Sequence, residues 1–221
     1  MYSKLAQFYD SLVDADYEVI ISEIKKNIKK DSKVLDLACG TGTIINALKD
    51  SYNMLGVDIS EDMLEIARGK SPNVNLFIHD LKEEFFIDDL DAIICNLDSM
   101  NYLLDKEEID RLIFNVSNNL DTGTFIFDVH SMFKLETLRD YLNIDLDEDV
   151  SYIWKVDIVD HTIYHYLTFF VKEDDYYLRY DEEHLQRVYP EDFYTDLLSK
   201  YNFQYEMKYL EDRIMFIFKK K

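Results

Sequence analysis

Residues 33–48, KVLDLACGTGTIINAL, join an apolar strand to a helix through a turn that contains two glycines. An apolar run of strand length precedes the turn, and Ile45 and Leu48 follow it at helical spacing. The chain has only 5 glycines in 221 residues, yet Gly40 and Gly42 flank a single threonine here. Glycine leaves the backbone accessible on its side-chain face, so this turn is predicted to be a place that something else approaches closely.

The alternation of strand and helix continues to about residue 130. A helix is predicted before the first strand, and Ser60 and Asp105 are predicted N-caps of later helices. The further strands are nearly continuous apolar runs, at residues 53–58, 74–80, 91–95 and 124–129. Such runs, separated by helices, predict an α/β fold with a three-layer, Rossmann-like doubly wound sheet that is mostly parallel.

The pattern changes after residue 130. Three runs rich in tyrosine, phenylalanine and valine lie between Trp154 and Tyr180, too close together for helical crossovers, so they predict an antiparallel meander. Pro190 starts a predicted helix, and residues 203–220 read as a hairpin with a turn of about three residues. We therefore predict a core of residues 1–130 and 190–221, whose sheet includes an antiparallel C-terminal hairpin strand. Residues 131–189 are predicted to form a small inserted antiparallel β subdomain.

Charge excludes several classes of partner. The formal net charge is −21 at pH 7 and the acids are spread along the chain, so nucleic acid and anionic membranes are not expected partners. No segment has 18 consecutive apolar residues, and the first residues do not resemble a secretion signal, so a cytoplasmic protein is expected. Cys39 and Cys95 lack metal-site spacing, and we interpret them as small buried thiols.

Acidic residues stand at the predicted ends of three strands. In an open parallel sheet, ligands bind beyond the carboxyl ends of the strands, where the strand order reverses. Asp36 lies in the first strand, Asp58 ends the second and Asp80 follows the third. A carboxylate such as Asp58 accepts two hydrogen bonds at once and therefore suits the vicinal hydroxyls of a ribose. Side chains at positions 40 and 42 would be expected to block the approach of such a ligand.

A nicotinamide-binding unit is the main alternative for this pattern. Its fingerprint requires glycine or alanine three residues after the second glycine, where this chain has Ile45. It also has no need of an acid such as Asp36 within the first strand. Both differences disfavour the nicotinamide alternative.

Three segments together resemble the class I S-adenosylmethionine-dependent methyltransferases. They are VLDLACGTG (34–42), GVDIS (56–60) and DLDAIICNLDSMNYL (89–103), and the resemblance extends from about residue 34 to 130 and into the closing hairpin. It implies an enzyme that uses S-adenosyl-L-methionine, releases S-adenosyl-L-homocysteine and needs no metal. It also implies a small-molecule acceptor with a nitrogen or oxygen nucleophile. A non-catalytic protein that binds S-adenosylmethionine as a partner or sensor is the alternative.

The resemblance assigns the methionine and ribose ends of the cofactor. The methionine end would lie against the glycine-rich turn, at Ala38, Gly40 and Gly42. Asp36 would act near the amino group, and Asp58 would take the ribose hydroxyls.

The resemblance also assigns the adenine end. Ile59 and Met63 would flank the adenine, although Met63 is equally well explained as a core residue. Asp80 and the backbone of Leu81 would meet the polar edge of the adenine ring.

Two further segments are assigned to the reacting end. Asn96 and Leu97, which leave the fourth strand, would face the methionine and the sulfonium through backbone carbonyls. YSKLAQFYD (2–10) is similar to an opening helix that closes over the cofactor, and Tyr9 is its candidate contact, with simple helix packing as the alternative.

Methyl transfer from a sulfonium depends largely on positioning and on excluding water, so a base is needed only when the nucleophile carries a proton. His130, two residues after Asp128, is the candidate catalytic residue, and a purely structural histidine is the alternative. His184 and Glu183 are placed after the meander as further candidates.

The aromatic meander is predicted to select the substrate or to form a homodimer contact. Alternation gives one strand a face with Tyr152, Trp154, Val156 and Ile158, and gives its neighbour Tyr164, Tyr166 and Phe170. A pocket wall and a dimer contact both explain so many aromatics.

Overall fold

The computed structural model describes residues 6, 9, 10, 16–201 and 203–220. In chain order its strands are β1 (Lys33–Leu37), β2 (Asn53–Asp58), β3 (Asn75–Ile78), β4 (Ala92–Cys95), β5 (Gly123–His130), β6 (Leu142–Asp145), β7 (Val150–Val159), β8 (Thr162–Glu173), β9 (Tyr176–Arg187), β10 (Phe203–Leu210) and β11 (Arg213–Lys220). Its helices are α1 (Tyr17–Asn27), α2 (Thr43–Leu48), α3 (Glu61–Lys70), α4 (Lys106–Asn119), α5 (Met132–Thr137) and α6 (Glu191–Ser199). A 3-10 turn, Ser99–Tyr102, follows β4.

The larger sheet confirms the predicted doubly wound fold. Its strand order is β10-β11-β5-β4-β1-β2-β3. Strands β1 to β5 pair in parallel, and β11 lies antiparallel to β5 and to β10. The chain moves outward from β1 to β3 and then returns to β4 on the other side of β1. The strand order therefore reverses between β1 and β4, which is where ligands bind in such sheets.

Helices cover both faces of this sheet. Alternate residues of β1 point to opposite sides, so Leu35 and Leu37 belong to one buried cluster and Val34 to another. One cluster contains residues of α4 and α6, and the other contains residues of α1, α2 and α3. The apolar stripe of α4 and its C-cap is fully buried: Ile109, Leu112, Ile113, Val116 and Leu120. These clusters are the two cores of a three-layer fold.

The predicted helix caps are present. The Ser60 hydroxyl accepts a hydrogen bond from the Met63 backbone N–H at 3.3 Å and caps α3. Asp105 and Glu108 form a capping box at the start of α4, as their spacing predicted. Side-chain acceptors at these positions satisfy backbone N–H groups that the helix itself leaves unpaired.

The smaller sheet confirms the meander and extends it. Its order is β6-β7-β8-β9, and all pairs are antiparallel. The sequence did not predict β6, because LNID is short and lacks aromatic residues. The closing hairpin turns through Glu211 and Asp212 alone, because Arg213 already belongs to β11. The division at residues 131 and 189 stays a prediction.

The register of the meander places on opposite faces of the sheet the two groups of aromatic residues that the sequence analysis treated as one surface. Tyr152 pairs with Phe169, Trp154 with Leu167 and Val156 with His165, so these six side chains share one face of the sheet. Tyr164, Tyr166 and Phe170 lie on the opposite face. Trp154 therefore lies on the face opposite to Tyr166, and a dimer contact through the insertion stays a prediction.

Candidate functional site

A small cavity lies where the strand order of the large sheet reverses. Its volume is about 30 Å³, and Asp36 and Ala38 from the end of β1 face Asn96 and Leu97 from the end of β4 across it. The glycine-rich turn and Tyr9 complete much of the lining. The structure therefore brings together most of the residues that the resemblance assigned to the methionine end.

The backbone beside this cavity is strained. Ala38, Leu97 and Asp98 have positive φ values of 59°, 58° and 52°. A residue other than glycine in this region costs about 1–3 kcal/mol and persists only where its surroundings hold it, as functional sites often do. Asp128 supplies part of that restraint, because its carboxylate accepts the backbone N–H groups of Leu97 at 2.7 Å and Asp98 at 3.1 Å.

The two glycines of the turn have different reasons to be glycine. Gly40 has a φ of +54°, and a Cβ built on it would meet nothing within 4 Å, so this position leaves open space beside the cavity. Gly42 has a φ of +74°, and its Cβ would lie 2.8 Å from the Ala67 Cβ of α3. A side chain at position 42 would therefore meet α3 and not a ligand, so the expected steric reason for Gly42 is wrong, and its contact with the cofactor stays a prediction.

Asp58 ties the glycine-rich turn to the end of β2. One carboxylate oxygen accepts the Gly40 backbone N–H at 2.8 Å, and the other accepts the Ser60 backbone N–H at 2.9 Å. Burial raises the pKa of Asp58 despite these hydrogen bonds. Each oxygen keeps a lone pair, so both could still accept ribose hydroxyls.

Asp36 is a buried acid beside the cavity. It is 2% exposed, and none of the described residues donates a hydrogen bond to its carboxylate. Burial raises its pKa well above the ordinary value, and the nearby charge of Asp58 raises it further. A cationic group in the cavity would offset both effects, since an opposite charge favours the ionised form.

Asn96 also leaves a polar atom without a partner. Its Nδ2 donates to Asp128 Oδ1 at 3.0 Å, whereas its buried Oδ1 accepts no hydrogen bond from the part of the chain that the structure describes. Buried polar atoms are nearly always paired, so an unpaired acceptor in a cavity wall indicates a ligand that donates there.

The residues assigned to the adenine follow the ends of β2 and β3, and their side chains differ in solvent exposure. Ile59 is 57% exposed, whereas Met63 is only 3% exposed. Leu81 is half-buried and packs against the core, and Asp80 is half-buried and accepts the Lys82 backbone N–H at 2.9 Å. Burial of Met63 favours its interpretation as a core residue.

The segment of Tyr9 and Asp10 covers the cavity. Tyr9 lines the cavity and also packs against the cluster of Leu167 and Phe169 on the smaller sheet. Asp10 accepts hydrogen bonds from the Thr41 hydroxyl at 2.6 Å and from Lys70 Nζ at 2.5 Å. These contacts fasten the segment to the glycine-rich turn.

A larger cleft of about 880 Å³ adjoins this cavity through Tyr9, which lines both. It lies between the two sheets, with His130 and Lys134 on one side and the Trp154 face of the meander on the other. Its volume falls in the range of small-molecule sites. His184 also lines the cleft, but Glu183 is exposed on the opposite face of β9, which removes it as a candidate. Both residues belong to the last strand of the meander rather than following it.

His130 is buried at the end of β5 and contacts the smaller sheet. Its Nε2 lies 3.0 Å from Gln186 Oε1 and 3.5 Å from Asp98 Oδ2. Burial lowers the pKa of His130, and the negative charge of Asp98 opposes that shift only in part. His130 is therefore a neutral imidazole at neutral pH, with one ring nitrogen free to accept a proton, as a general base requires.

Sequence reasoning missed several polar residues of this site. Asp98 forms an ion pair with Arg213 Nη1 at 3.1 Å. Gln186 contacts His130, and His165 contacts the same Gln186 oxygen. A signal for the last two was present, since two-residue turns at 160–161 and 174–175 fix the register of the meander. Alternation from those turns places both residues on the Trp154 face.

The stability of the protein is expected to depend on His165 below neutral pH. Burial lowers its pKa to about 4, whereas an unfolded histidine has a pKa of about 6.5. The unfolded state thus binds more protons between these values, so the free energy of unfolding falls as the pH is lowered from 6.5 to 4, by on the order of 3 kcal/mol for this group.

Urea denaturation of the wild type and His165→Gln at several pH values measures this effect. The wild type should lose stability relative to the variant as the pH falls, and other titrating groups cancel in the comparison. An unchanged difference between pH 7 and pH 4.5 would contradict the prediction.

The described residues form neither a metal-binding cluster nor a membrane-spanning helix. No cluster of three or more histidine, cysteine, aspartate or glutamate side chains suited to a metal occurs among the residues that the structure describes. Within the same ranges, no helix is long and apolar enough to cross a membrane. Cys39 and Cys95 are free thiols whose pKa burial raises, which fits inert packing.

Known proteins resemble this chain in sequence and in fold. A family model described as a methyltransferase domain matches residues 34–123. The putative methyltransferase YqeM of Bacillus subtilis is 36% identical over 92% of this chain and 87% of its own length. The crystal structure of an S-adenosylmethionine-dependent methyltransferase from Clostridium acetobutylicum has a TM-score of 0.87 and 32% identity, covering 99% of this chain and 98% of that one.

A more distant structure shares the fold. S-adenosylmethionine-bound CalS10, an amino pentose methyltransferase from Micromonospora echinaspora, has a TM-score of 0.80 and 16% identity, covering 100% of this chain and 98% of its own.

Proposed function

Since the chain belongs to the class I S-adenosylmethionine-dependent methyltransferases, we propose that it methylates a nitrogen or oxygen nucleophile of a small molecule held in the cleft. The observation that carries this proposal is the position of the cleft. It adjoins the cavity between β1 and β4, and the aromatic face of the meander forms its far wall.

The residues around the cavity fit the cofactor. Among the described residues, none donates a hydrogen bond to the buried carboxylate of Asp36, which suits the ammonium group of the methionine end, or to Asn96 Oδ1 in the same cavity wall. Gly40 leaves space where a Cβ would otherwise lie. Asp58 would take the ribose hydroxyls and Ile59 would contact the adenine. When bound, S-adenosylmethionine supplies an electrophilic methyl group on a positively charged sulfur.

Entry of the cofactor requires movement of the Tyr9 and Asp10 segment. The cavity of about 30 Å³ is far smaller than a nucleoside, and Asp10, next to the lining residue Tyr9, is fastened to Thr41 and Lys70. Parting of these contacts would open the cavity, and their return would exclude water from the reacting atoms.

The acceptor would lie between His130 and the meander. Tyr152, Trp154 and Leu167 offer it apolar surface, and the buried polar groups near Asp98 would orient it. A nitrogen nucleophile is the better-supported choice, because CalS10 is an amino pentose methyltransferase.

Incubation with radiolabelled S-adenosylmethionine and a panel of amino sugars, amines, hydroxy compounds and carboxylates tests the proposal. Label should pass to a member of the panel. Transfer of label to added protein or nucleic acid, with none to any small molecule, would overturn the small-molecule acceptor.

His130→Ala is expected to lower turnover by ~10²–10⁴-fold, the usual contribution of a positioned general base. Affinity for S-adenosylmethionine should not change, because His130 lines the cleft and not the cavity. Turnover with a panel acceptor and calorimetry of cofactor binding measure the two effects. His161→Ala, in an exposed turn, is the matched control. An unchanged rate in His130→Ala would leave the histidine a structural role only.

A further inference from the structure

A row of buried polar side chains joins the two sheets behind His130. Trp154 Nε1 lies 3.1 Å from His165 Nδ1, and His165 Nε2 lies 3.1 Å from Gln186 Oε1. The same Gln186 oxygen lies 3.0 Å from His130 Nε2. His130 comes from the large sheet, whereas the other three side chains come from the small one.

The chemistry of these groups fixes the direction of each hydrogen bond. Gln186 Nε2 donates to Asp98 Oδ2 at 2.5 Å, so the amide oxygen must face the two histidines. An indole N–H only donates, so Trp154 makes His165 Nδ1 an acceptor and leaves the proton of that ring on Nε2. An amide oxygen only accepts, so the Nε2 atoms of both His165 and His130 donate to Gln186.

These directions also determine the protonation of the other ring nitrogen of His130, Nδ1. A neutral imidazole carries one proton, and with that proton on Nε2 its Nδ1 holds a free lone pair. Nδ1 is buried and has no hydrogen-bond partner in the described part of the chain. His130 lines the cleft, and an unpaired buried nitrogen in its ring is an unusual feature that calls for a role.

We infer that Gln186, held in place by Asp98 and His165, is a positioning residue that keeps His130 in its Nε2–H form, so that Nδ1 receives the proton of the acceptor. This inference rests on the proposed function. It gives the inserted sheet a part in the proton transfer as well as in forming a pocket.

The proton and electron balance of the step is simple. The acceptor nitrogen shares its lone pair with the methyl carbon while the carbon–sulfur bond breaks toward sulfur, and its surplus proton passes to Nδ1 of His130. The resulting imidazolium lies 3.5 Å from Asp98 Oδ2, which would stabilise its charge until the proton leaves through the cleft.

Several charged groups surround His130. Asp98 favours its protonation, whereas Arg213 from β11 and Lys134 from α5 oppose it. The charges of Arg213 and Lys134 are themselves partly balanced, by Asp128 and by Asp212 respectively. Together with burial, this environment keeps His130 neutral. Gln186 therefore determines the tautomer of His130 and not its charge.

Nitrogen NMR of protein labelled in its 5 histidines tests the inference directly. Long-range proton–nitrogen spectra distinguish a protonated from an unprotonated ring nitrogen, and loss of a signal set in His130→Asn assigns His130. In the wild type at pH 7, we expect a protonated Nε2 and an unprotonated Nδ1. Gln186→Leu should convert His130 to a mixture of tautomers.

A second variant keeps the shape of the side chain. Gln186→Glu should retain both accepted hydrogen bonds, lose the donation to Asp98 and add a negative charge, which is expected to raise the titration midpoint of His130 by about 1 unit or more. Gln204→Glu, an exposed site on β10, adds the same charge elsewhere and should change nothing. The other histidine signals report whether each variant is folded, and the isosteric variant decides the test if Gln186→Leu is not.

Activity provides a further readout. With an acceptor from the panel, Gln186→Leu should lower kcat by ~10-fold or more while leaving the KM for S-adenosylmethionine unchanged, and Gln186→Glu should move the acid limb of the pH–rate profile to higher pH. A wild-type His130 protonated on Nδ1, or spectra that neither Gln186 variant alters, would overturn the inference. Absence of any acceptor would count against the proposed function alone, because the nitrogen spectra do not depend on it.

Discussion

Asp36→Asn is expected to weaken binding of S-adenosylmethionine by about 100-fold, the equivalent of about 3 kcal/mol for a hydrogen bond to a charged group. The variant keeps the shape of the side chain and removes only the negative charge that would pair with the ammonium group. The same change should raise the melting temperature of the free protein at pH 7. Burial and the charge of Asp58 make the ionised Asp36 unfavourable, which an uncharged amide avoids.

The sign of the stability effect depends on pH. The pKa of Asp36 is raised in the folded protein, so its ionisation destabilises the fold fully above that pKa and not at all below the pKa of the unfolded chain. The gain in Asp36→Asn should therefore disappear below about pH 4.

Calorimetry of cofactor binding and thermal denaturation measure both effects of Asp36→Asn. Asp50→Asn, at an exposed position, makes the same change of charge and should alter neither quantity appreciably. If Asp36→Asn bound the cofactor with wild-type affinity, Asp36 would not pair with its ammonium group.

Gly42→Ala is expected to lower the melting temperature by ~5–15 °C. A left-handed alanine costs ~1–2 kcal/mol, and the new Cβ would also lie 2.8 Å from the Ala67 Cβ and 3.2 Å from its Cα, in the wall of α3. Overpacking of this kind adds ~1–3 kcal/mol, and each kcal/mol corresponds to ~2–4 °C for a chain of this length.

Gly40→Ala is the matched comparison. It has the same left-handed strain but no atom within 4 Å, so its melting temperature should fall by only ~2–8 °C. Its methyl group would enter the space beside the cavity, and we expect a loss of cofactor affinity of ~10-fold or more, as for a misfitting group in a closely packed site. Equal destabilisation by the two variants would contradict the separate roles assigned to these glycines.

Local patterns were sufficient to predict most of the fold. The apolar runs of β1, β2 and β5 and the caps Ser60 and Asp105 are local signals, and the structure confirms them. The sequence did not predict β6, because a strand of four residues with two exposed apolar side chains is too short to show a recognisable hydrophobic periodicity. It pairs with β7 only because the preceding helix α5 brings it there.

The site was predictable only where a general rule of topology applied. Asp36 follows from the rule that ligands bind at the reversal of strand order, and Asn96 was assigned from the resemblance alone; the structure places both at one cavity. Contacts between the two sheets follow no such rule. Gln186 meets His130 at a sequence separation of 56 residues, through a docking of the sheets that no local pattern encodes. Gly42 was misinterpreted for the same reason, because Ala67 becomes its neighbour only after α3 packs.

The fully buried carboxylate of Asp128 makes the loop after β4 depend on β11. It accepts hydrogen bonds from the segment that follows β4, and it forms an ion pair with Arg213 at the start of β11. Asp98 shares the same guanidinium. A nascent chain still lacking β11 would leave two neighbouring acids without their cation, and their mutual repulsion would keep the loop from settling. This loop would thus take its native conformation only once β11 has emerged from the ribosome and docked.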